Sequence, residues 1–425
     1  MRVCLAAMIF LVVLATVASA ADWPAFRGPQ GNGLTEETKA PLHWTKIKNV
    51  KWSAPLPQPG NGSPIVSKGL VFVACAEDAK GHGRSLYCFD RKTGASVWTK
   101  TVTFEQDDPT HETNLYCGST PAANGERVVV WHGSAGLHCY DFEGKEVWKK
   151  DLGEFRHMWG YGTSPVIHDD RVILHSGPGK QIFVAAYALA DGKELWRAEE
   201  PQEGDGEHRT KDKAYMGSWS TPVVTKLDPN GLDPKSRVQA ICTLPTRVAS
   251  YNVADGKLLW WCEGIRGKNG DLAYSSPIIA GDICVSTGGF GGPAIGFKLG
   301  GEGDLTEQRL WRKEQNPQSI GTGVFIDGYV YRPNAGANTI ECIDPKSGDI
   351  KWTESVGSFW GSMVFVAGRC YVTAQDGTTL VFKPSPEKFE LLARNSLGEA
   401  SNSTPAVSNG EFFLRTMKSL HCVSE

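Results

Sequence analysis

The residues with most capacity for chemistry in this 425-residue chain are aromatic and basic. They sit in short connections between apolar segments. Arg156-His157-Met158-Trp159-Gly160-Tyr161, the stretch from His208-Arg209 through Tyr215 to Trp219, Asn269 to Tyr274, His111 to Tyr116 and Ser358-Phe359-Trp360 form one group. Arg247, Arg332-Pro333-Asn334 and Gly177 to Lys180 form a second. Aromatic faces beside Arg and Asn suit a planar anionic ligand or a peptide strand. The plainer reading is that Trp and Tyr here only fill space.

Other chemistries find less support. The ten histidines show no metal-ligand spacing. Only His157 and His208 fall among the candidate stretches, and a polar surface role is the plainer reading of each. The absence of a Cys-x-x-Cys pair leaves a redox dithiol or zinc ribbon without a basis. No Ser-His-Asp set separates itself from the many Ser and Asp residues. Gly288 to Gly292 is a turn rather than a phosphate loop, because no helix follows to present its amides. The sequence therefore nominates neither a catalytic residue nor a metal ligand.

The elements that must position these loops repeat. Leu86 to Asp90 alternates as a strand, Asp90 and Gly94 bracket a turn, and Val97-Trp98 begins a return strand. The same phrase ends in Trp148, Trp196, Trp260 and Trp352, each four residues past a turn Gly, and a weaker copy ends in Trp311. A second phrase, a small polar step into an apolar pair, occurs eight times, as in Gly62-Ser63-Pro64-Ile65-Val66 and Ser403-Thr404-Pro405-Ala406-Val407. One unit is four short strands over roughly 40 to 50 residues, the period of a propeller blade. The expected fold is all-β, an eight-bladed propeller of four-stranded blades. Val50 to Leu56 reads as a fourth strand lacking its first three, and the C-terminus supplies three strands, so the N-terminal strand should close the last blade. The seventh blade has Leu391-Leu392 where the others have Trp.

Residues 1–20 read as a cleaved signal peptide, with Arg2, an apolar run from Leu5 to Val17 and Ala18-Ser19-Ala20 at its end. Residues 21–41 read as an irregular arm whose Trp23 and Phe26 pack on the propeller, and 42–425 as the propeller itself. The expectation is export, to the periplasm or beyond, with no transmembrane segment after cleavage. A net charge of −3 argues against a nucleic-acid partner. Cys88, Cys139, Cys342 and Cys422 hold one strand position in four blades and read as small buried residues. Cys75 with Cys88, and Cys242 with Cys262, are candidate pairs within a blade.

Asp-x-x-Thr-Gly-x-x-x-Trp at 90–98 resembles the blade signature of the PQQ-like propellers, a superfamily holding quinoprotein alcohol dehydrogenases and outer-membrane-assembly propeller lipoproteins. The resemblance covers nearly all of 42–425. It implies eight blades and a blade-docking role for Trp52, Trp98, Trp148, Trp196, Trp260, Trp311 and Trp352. The quinoprotein enzymes carry adjacent cysteines, a calcium site with an Asp base and often a haem motif, and this chain matches none of these. The expectation is a monomeric, non-catalytic binding or scaffold module of the cell envelope, without cofactor, holding a protein partner or small ligand at the channel mouth. Its candidate residues are Arg156, His157, Trp159, Tyr161, Tyr215, Trp219, Arg247, Tyr274, Arg332, Asn334 and Trp360. A small PQQ- and calcium-dependent dehydrogenase and a carbohydrate-binding propeller are the alternatives.

Overall fold

The computed structural model describes residues 22–201, 203–227 and 237–425. The signal-peptide reading, and most of the Lys226 to Arg237 insertion, lie outside the described residues. Among those described there is no α-helix, and none could span a membrane.

Eight four-stranded antiparallel sheets follow one another along the chain. Blade 1 runs through Ile65–Ser67, Leu70–Ala76, Gly83–Asp90 and Ser96–Thr103. Blades 2 to 7 begin at Ala122–Ala123, Val166–His168, Val223–Lys226, Ile278–Ala280, Val324–Ile326 and Val364–Val366. Blade 8 takes Ala406–Ser408, Glu411–Arg415 and Ser419–Val423 from the C-terminus. Its fourth strand is Val50–Pro55, antiparallel to the last, with Ala54 opposite Leu420. The expected closure is present.

A blade's two faces are both apolar, so each must be covered by a neighbour. The buried hydrophobic residues accordingly fall into seven clusters that straddle seams between blades. Phe72 and Ala74 of blade 1, for example, pack with Val128 and Val130 of blade 2.

The Trp phrase acquires a physical meaning across these seams. The Trp98 indole N–H donates to the Phe142 carbonyl in the turn of the next blade, at 2.9 Å. Trp52, Trp148, Trp196, Trp311 and Trp352 do the same to Arg91, Leu189, Val253, Pro345 and Ser385. Trp260 differs and donates to the Gln239 side chain of its own blade. The turn glycine lies flat against the ring of the preceding blade: a Cβ on Gly94, with φ +71°, would sit 2.6 Å from Trp52. The repeating Gly is thus required by the Trp of the blade before it, not by its own.

Each Trp also explains the residue opposite it. Trp98, Trp148, Trp352 and Trp52 face Cys88, Cys139, Cys342 and Cys422, while Trp196, Trp260 and Trp311 face Ala186, Ser250 and Gly296. The position tolerates only a small side chain beneath the indole. All ten described cysteines are free and buried. The candidate pairings within a blade fail on geometry. Cys242 and Cys262 lie on strands separated by the strand carrying Ala249 and Val248. That puts them about 9 to 10 Å apart, beyond a disulfide's reach. Cys75 and Cys88 lie on adjacent strands, but Cys75 faces Ser85 and Cys88 faces Phe72, so they are out of register.

The arm docks as expected and does more. Trp23 is buried and pairs with Val66, Pro24 accepts from the Ala123 amide, and Gly33 accepts from the Phe365 amide. It therefore crosses the innermost strands of blades 1, 2 and 7 at the end where the first and second strands turn. Two short features were not anticipated. Gly303–Asp304 adds to the outer edge of blade 4 beside Trp260, and Tyr215–Ser218 pairs in parallel with Gly270–Ala273.

Candidate binding site at the channel mouth

The eightfold small-polar phrase builds the wall of the central channel. Each blade presents one backbone N–H to the seam with the next, and the next blade's hydroxyl oxygen accepts it. Ser63 N donates to Thr120 Oγ1, Thr120 N to Ser164 Oγ, and so on through Thr404 N to Ser63 Oγ, at 2.9 to 3.1 Å over seven seams. The eighth seam reverses the polarity, with Ser276 Oγ donating to the Thr221 carbonyl at 2.8 Å. This closed hoop satisfies buried amides that no strand pairs, and each bond contributes about 1 kcal/mol.

A cavity of about 370 Å³ opens above the hoop. Residues two apart in extended chain share a face. The residue two before each hoop hydroxyl therefore forms a second layer: Asn61, Gly118, Gly162, Trp219, Tyr274, Ile320, Trp360 and Asn402, all lining the cavity. Trp159, Phe290, Gln318, Thr113, Asn114 and His111 complete the rim, and Phe26 reaches in from the arm.

The layer is two-sided. The connection into blade 3 and those of blades 4, 5 and 7 supply an aromatic wall, where Trp159 lies 5.9 Å from Trp219 and 6.1 Å from Phe290, and Trp219 lies 5.5 Å from Tyr274. Blades 8, 1 and 2 supply amides. Among the described residues no Asp, Glu, Lys or Arg lines the cavity.

The sequence-nominated residues divide accordingly. Trp159, Trp219, Tyr274 and Trp360 line the cavity. Tyr215 backs Trp159 at 4.7 Å without reaching the lumen. His157 is buried against the Trp219 ring, and its Nε2 donates to the Met216 carbonyl at 3.0 Å. Burial holds its pKa down to about 4, so it is a neutral brace for Trp219. Tyr161 is buried beside Arg84, whose guanidinium pairs with Asp108 at 2.8 Å and props the two rim loops.

The basic residues depart from expectation. Arg247 forms a bidentate pair with Glu200 on the neighbouring blade. Arg332 pairs with Glu341 within its own blade at 2.6 Å, and Asn334 turns to Thr339. Arg156 reaches outward to the Asp107 carbonyl. Each cation needs a partner once partly desolvated, and each finds it in the fold rather than in the lumen. Lumen residues outside the candidate stretches include Phe26, Asn61, Phe290, Gln318, Ile320 and Asn402. Their signal was available: three of them lie two residues before a hydroxyl of the repeated phrase.

Eight blades docked Trp-to-turn around a hydroxyl hoop define a PQQ-like propeller. The chain belongs to the family described as outer membrane protein assembly factor BamB, whose model matches residues 82–354. No curated protein matches the sequence. Among solved structures, quinohemoprotein alcohol dehydrogenase from Comamonas testosteroni aligns with a TM-score of 0.66 at 13% identity, covering 96% of this chain and 81% of that one. BamB from Moraxella catarrhalis aligns with a TM-score of 0.58 at 14% identity, covering 88% and 97%. The C-terminal WD40 domain of Sif2 gives 0.54 at 10% identity, covering 88% and 99%. At such identities the likeness is one of fold.

Proposed function

We propose that this chain is an exported, non-catalytic propeller, a binding and scaffold module of the bacterial cell envelope. The observation that carries the reading is the uncharged lining of the central cavity. A quinone bearing several carboxylates calls for cationic partners. A calcium ion calls for six to eight oxygens, carboxylates among them. A general base needs a titratable group within reach of its proton. Among the described residues His111, exposed at the rim, and Tyr274, whose phenol burial keeps protonated, are the titratable side chains lining the cavity, and the residues present do not fit a calcium-bound quinone. Among the described residues no group of three His, Cys, Asp or Glu could hold a metal. The match to an outer-membrane-protein assembly family supports the envelope setting, and residues 1–20 support export.

The test is calorimetric titration of the mature chain with pyrroloquinoline quinone, with and without calcium, alongside dye reduction with an alcohol or sugar. The expected result is no saturable heat and no dye reduction. Saturable binding at micromolar quinone that requires calcium would overturn the reading.

A further inference from the structure

The polar half of the cavity is organised in one direction. Gln375 Nε2 donates to Asn402 Oδ1, Asn402 Nδ2 to Asn61 Oδ1, and Asn61 Nδ2 to Asn114 Oδ1, each at 3.2 Å. Asn114 Nδ2 then donates to the Trp159 carbonyl at 2.7 Å. Four side-chain amides from blades 7, 8, 1 and 2 thus form a relay that fixes each amide's orientation. It ends on the backbone of the residue that anchors the aromatic wall. An amide oxygen has two lone pairs, and each relay oxygen of Asn402, Asn61 and Asn114 uses one on its neighbour. The second remains for a donor in the lumen.

A preorganised row of neutral acceptors facing a wall of partly exposed indole and phenol rings, with no charge between them, matches a particular ligand chemistry. The ligand presents hydroxyl donors on one edge and C–H faces on the other, and carries no charge. We propose that the cavity binds a neutral saccharide, one or two rings of a glycan end. Its hydroxyls donate to the Asn402, Asn61 and Asn114 carbonyls, and a ring face lies on Trp159, Trp219 or Trp360. The volume of about 370 Å³ falls in the roughly 300 to 1,000 Å³ range of small-ligand pockets. Charged sugars are selected against, because a carboxylate or ammonium desolvated here has no counter-charge. The inference rests on the reading of the cavity as a non-catalytic binding site.

The mature chain is titrated with cellobiose and maltose, followed by tryptophan fluorescence and calorimetry, and is screened on an array of neutral and uronic-acid oligosaccharides. The expected result is saturable binding of a neutral saccharide, a fluorescence change and no retention of the acidic ones. Trp360→Ala removes a stacking face, and Asn402→Ala cuts the relay while leaving the hoop intact. Each should weaken binding about tenfold, the equivalent of one lost contact. Should a variant fail to fold, the wild-type fluorescence change still reports whether sugar reaches the indoles. No binding by any neutral glycan, or binding indifferent to both substitutions, overturns the proposal. Binding of pyrroloquinoline quinone in the same format would instead overturn the non-catalytic reading, so the two failures are distinct.

Discussion

Single residues set the chemistry of this propeller by staying neutral. His157 and His175 are buried, and desolvation depresses each to about pH 4, outweighing the nearby Glu207 in the case of His157. His132, wholly buried beside His138 and Arg84, is likewise depressed well below its ordinary value by desolvation. In the unfolded chain all three return to about 6.5. Below that pH the unfolded state binds protons that the native state refuses, so stability is retained above pH 6.5 and lost as pH falls toward 4. His157 and His175 each contribute about 1.4 kcal/mol of this loss per pH unit over that window, up to about 3 kcal/mol apiece. Urea unfolding at pH 7.5, 6 and 5 should show this decline with a slope of at least about two protons from His157 and His175, with His132 and His421 acting in the same direction. A flat profile would mean that these imidazoles are solvated.

At the scale of the element, the turn between third and fourth strands is the joint that matters. Gly94→Ala places a methyl against the Trp52 ring at a backbone φ of +71° that Ala avoids. The joint cannot relax without losing the Trp52 bond to Arg91. A loss of about 2 to 3 kcal/mol is expected, and thermal unfolding of this variant beside Gly69→Ala, where no atom lies near the added methyl, isolates the packing part. Equal losses would show that strain alone acts. The same joint indicates what was legible in sequence. Blade number, strand order and closure followed from periodicity, because period two and a turn Gly are local properties. That Gly94 serves Trp52 rather than Trp98 was not legible, since spacing along the chain carries no record of which blade packs on which. The lumen followed similar logic. Trp219, Tyr274 and Trp360 stood out by type, whereas Asn61 and Asn402 are ordinary residues made functional by register with the hoop. Arg247 and Arg332 were misplaced because the sequence does not reveal that Glu200 and Glu341 lie across from them.

For the whole molecule, the closing seam between the chain's two ends decides whether the ring is one cooperative body. A propeller has no central core, and opening one seam exposes two blade faces and an unpaired strand edge together. Here that seam is reinforced beyond its ladder. Trp52 docks on blade 1, Thr404 N bonds Ser63 Oγ, and Arg415 spans to the Gly62 and Ala74 carbonyls at 2.8 Å. Trp44, buried against Phe412, occupies the seam beside blade 7, where register puts Ala393, rather than the Leu392 expected from spacing, in the Trp place: it faces Val381 beside the bulge as Trp98 faces Cys88. The missing Trp of blade 7 follows from closure. Blade 8 has no continuous turn between its third and fourth strands, so a Trp at position 393 would have no turn glycine to meet, and the Trp44 indole fills the space. Deleting residues 42–57 removes the closing strand together with Trp44 and Trp52. The loss should exceed the about 3 to 5 kcal/mol expected for truncating one buried Trp, and the unfolding transition should broaden as blades separate in turn. Trp352→Ala, at an interior seam where the ring remains tied by both neighbours, is the comparison. If the deletion melts no earlier and no less sharply than Trp352→Ala, the ends of the chain are not what holds the ring together, and cooperativity must reside in the hydroxyl hoop instead.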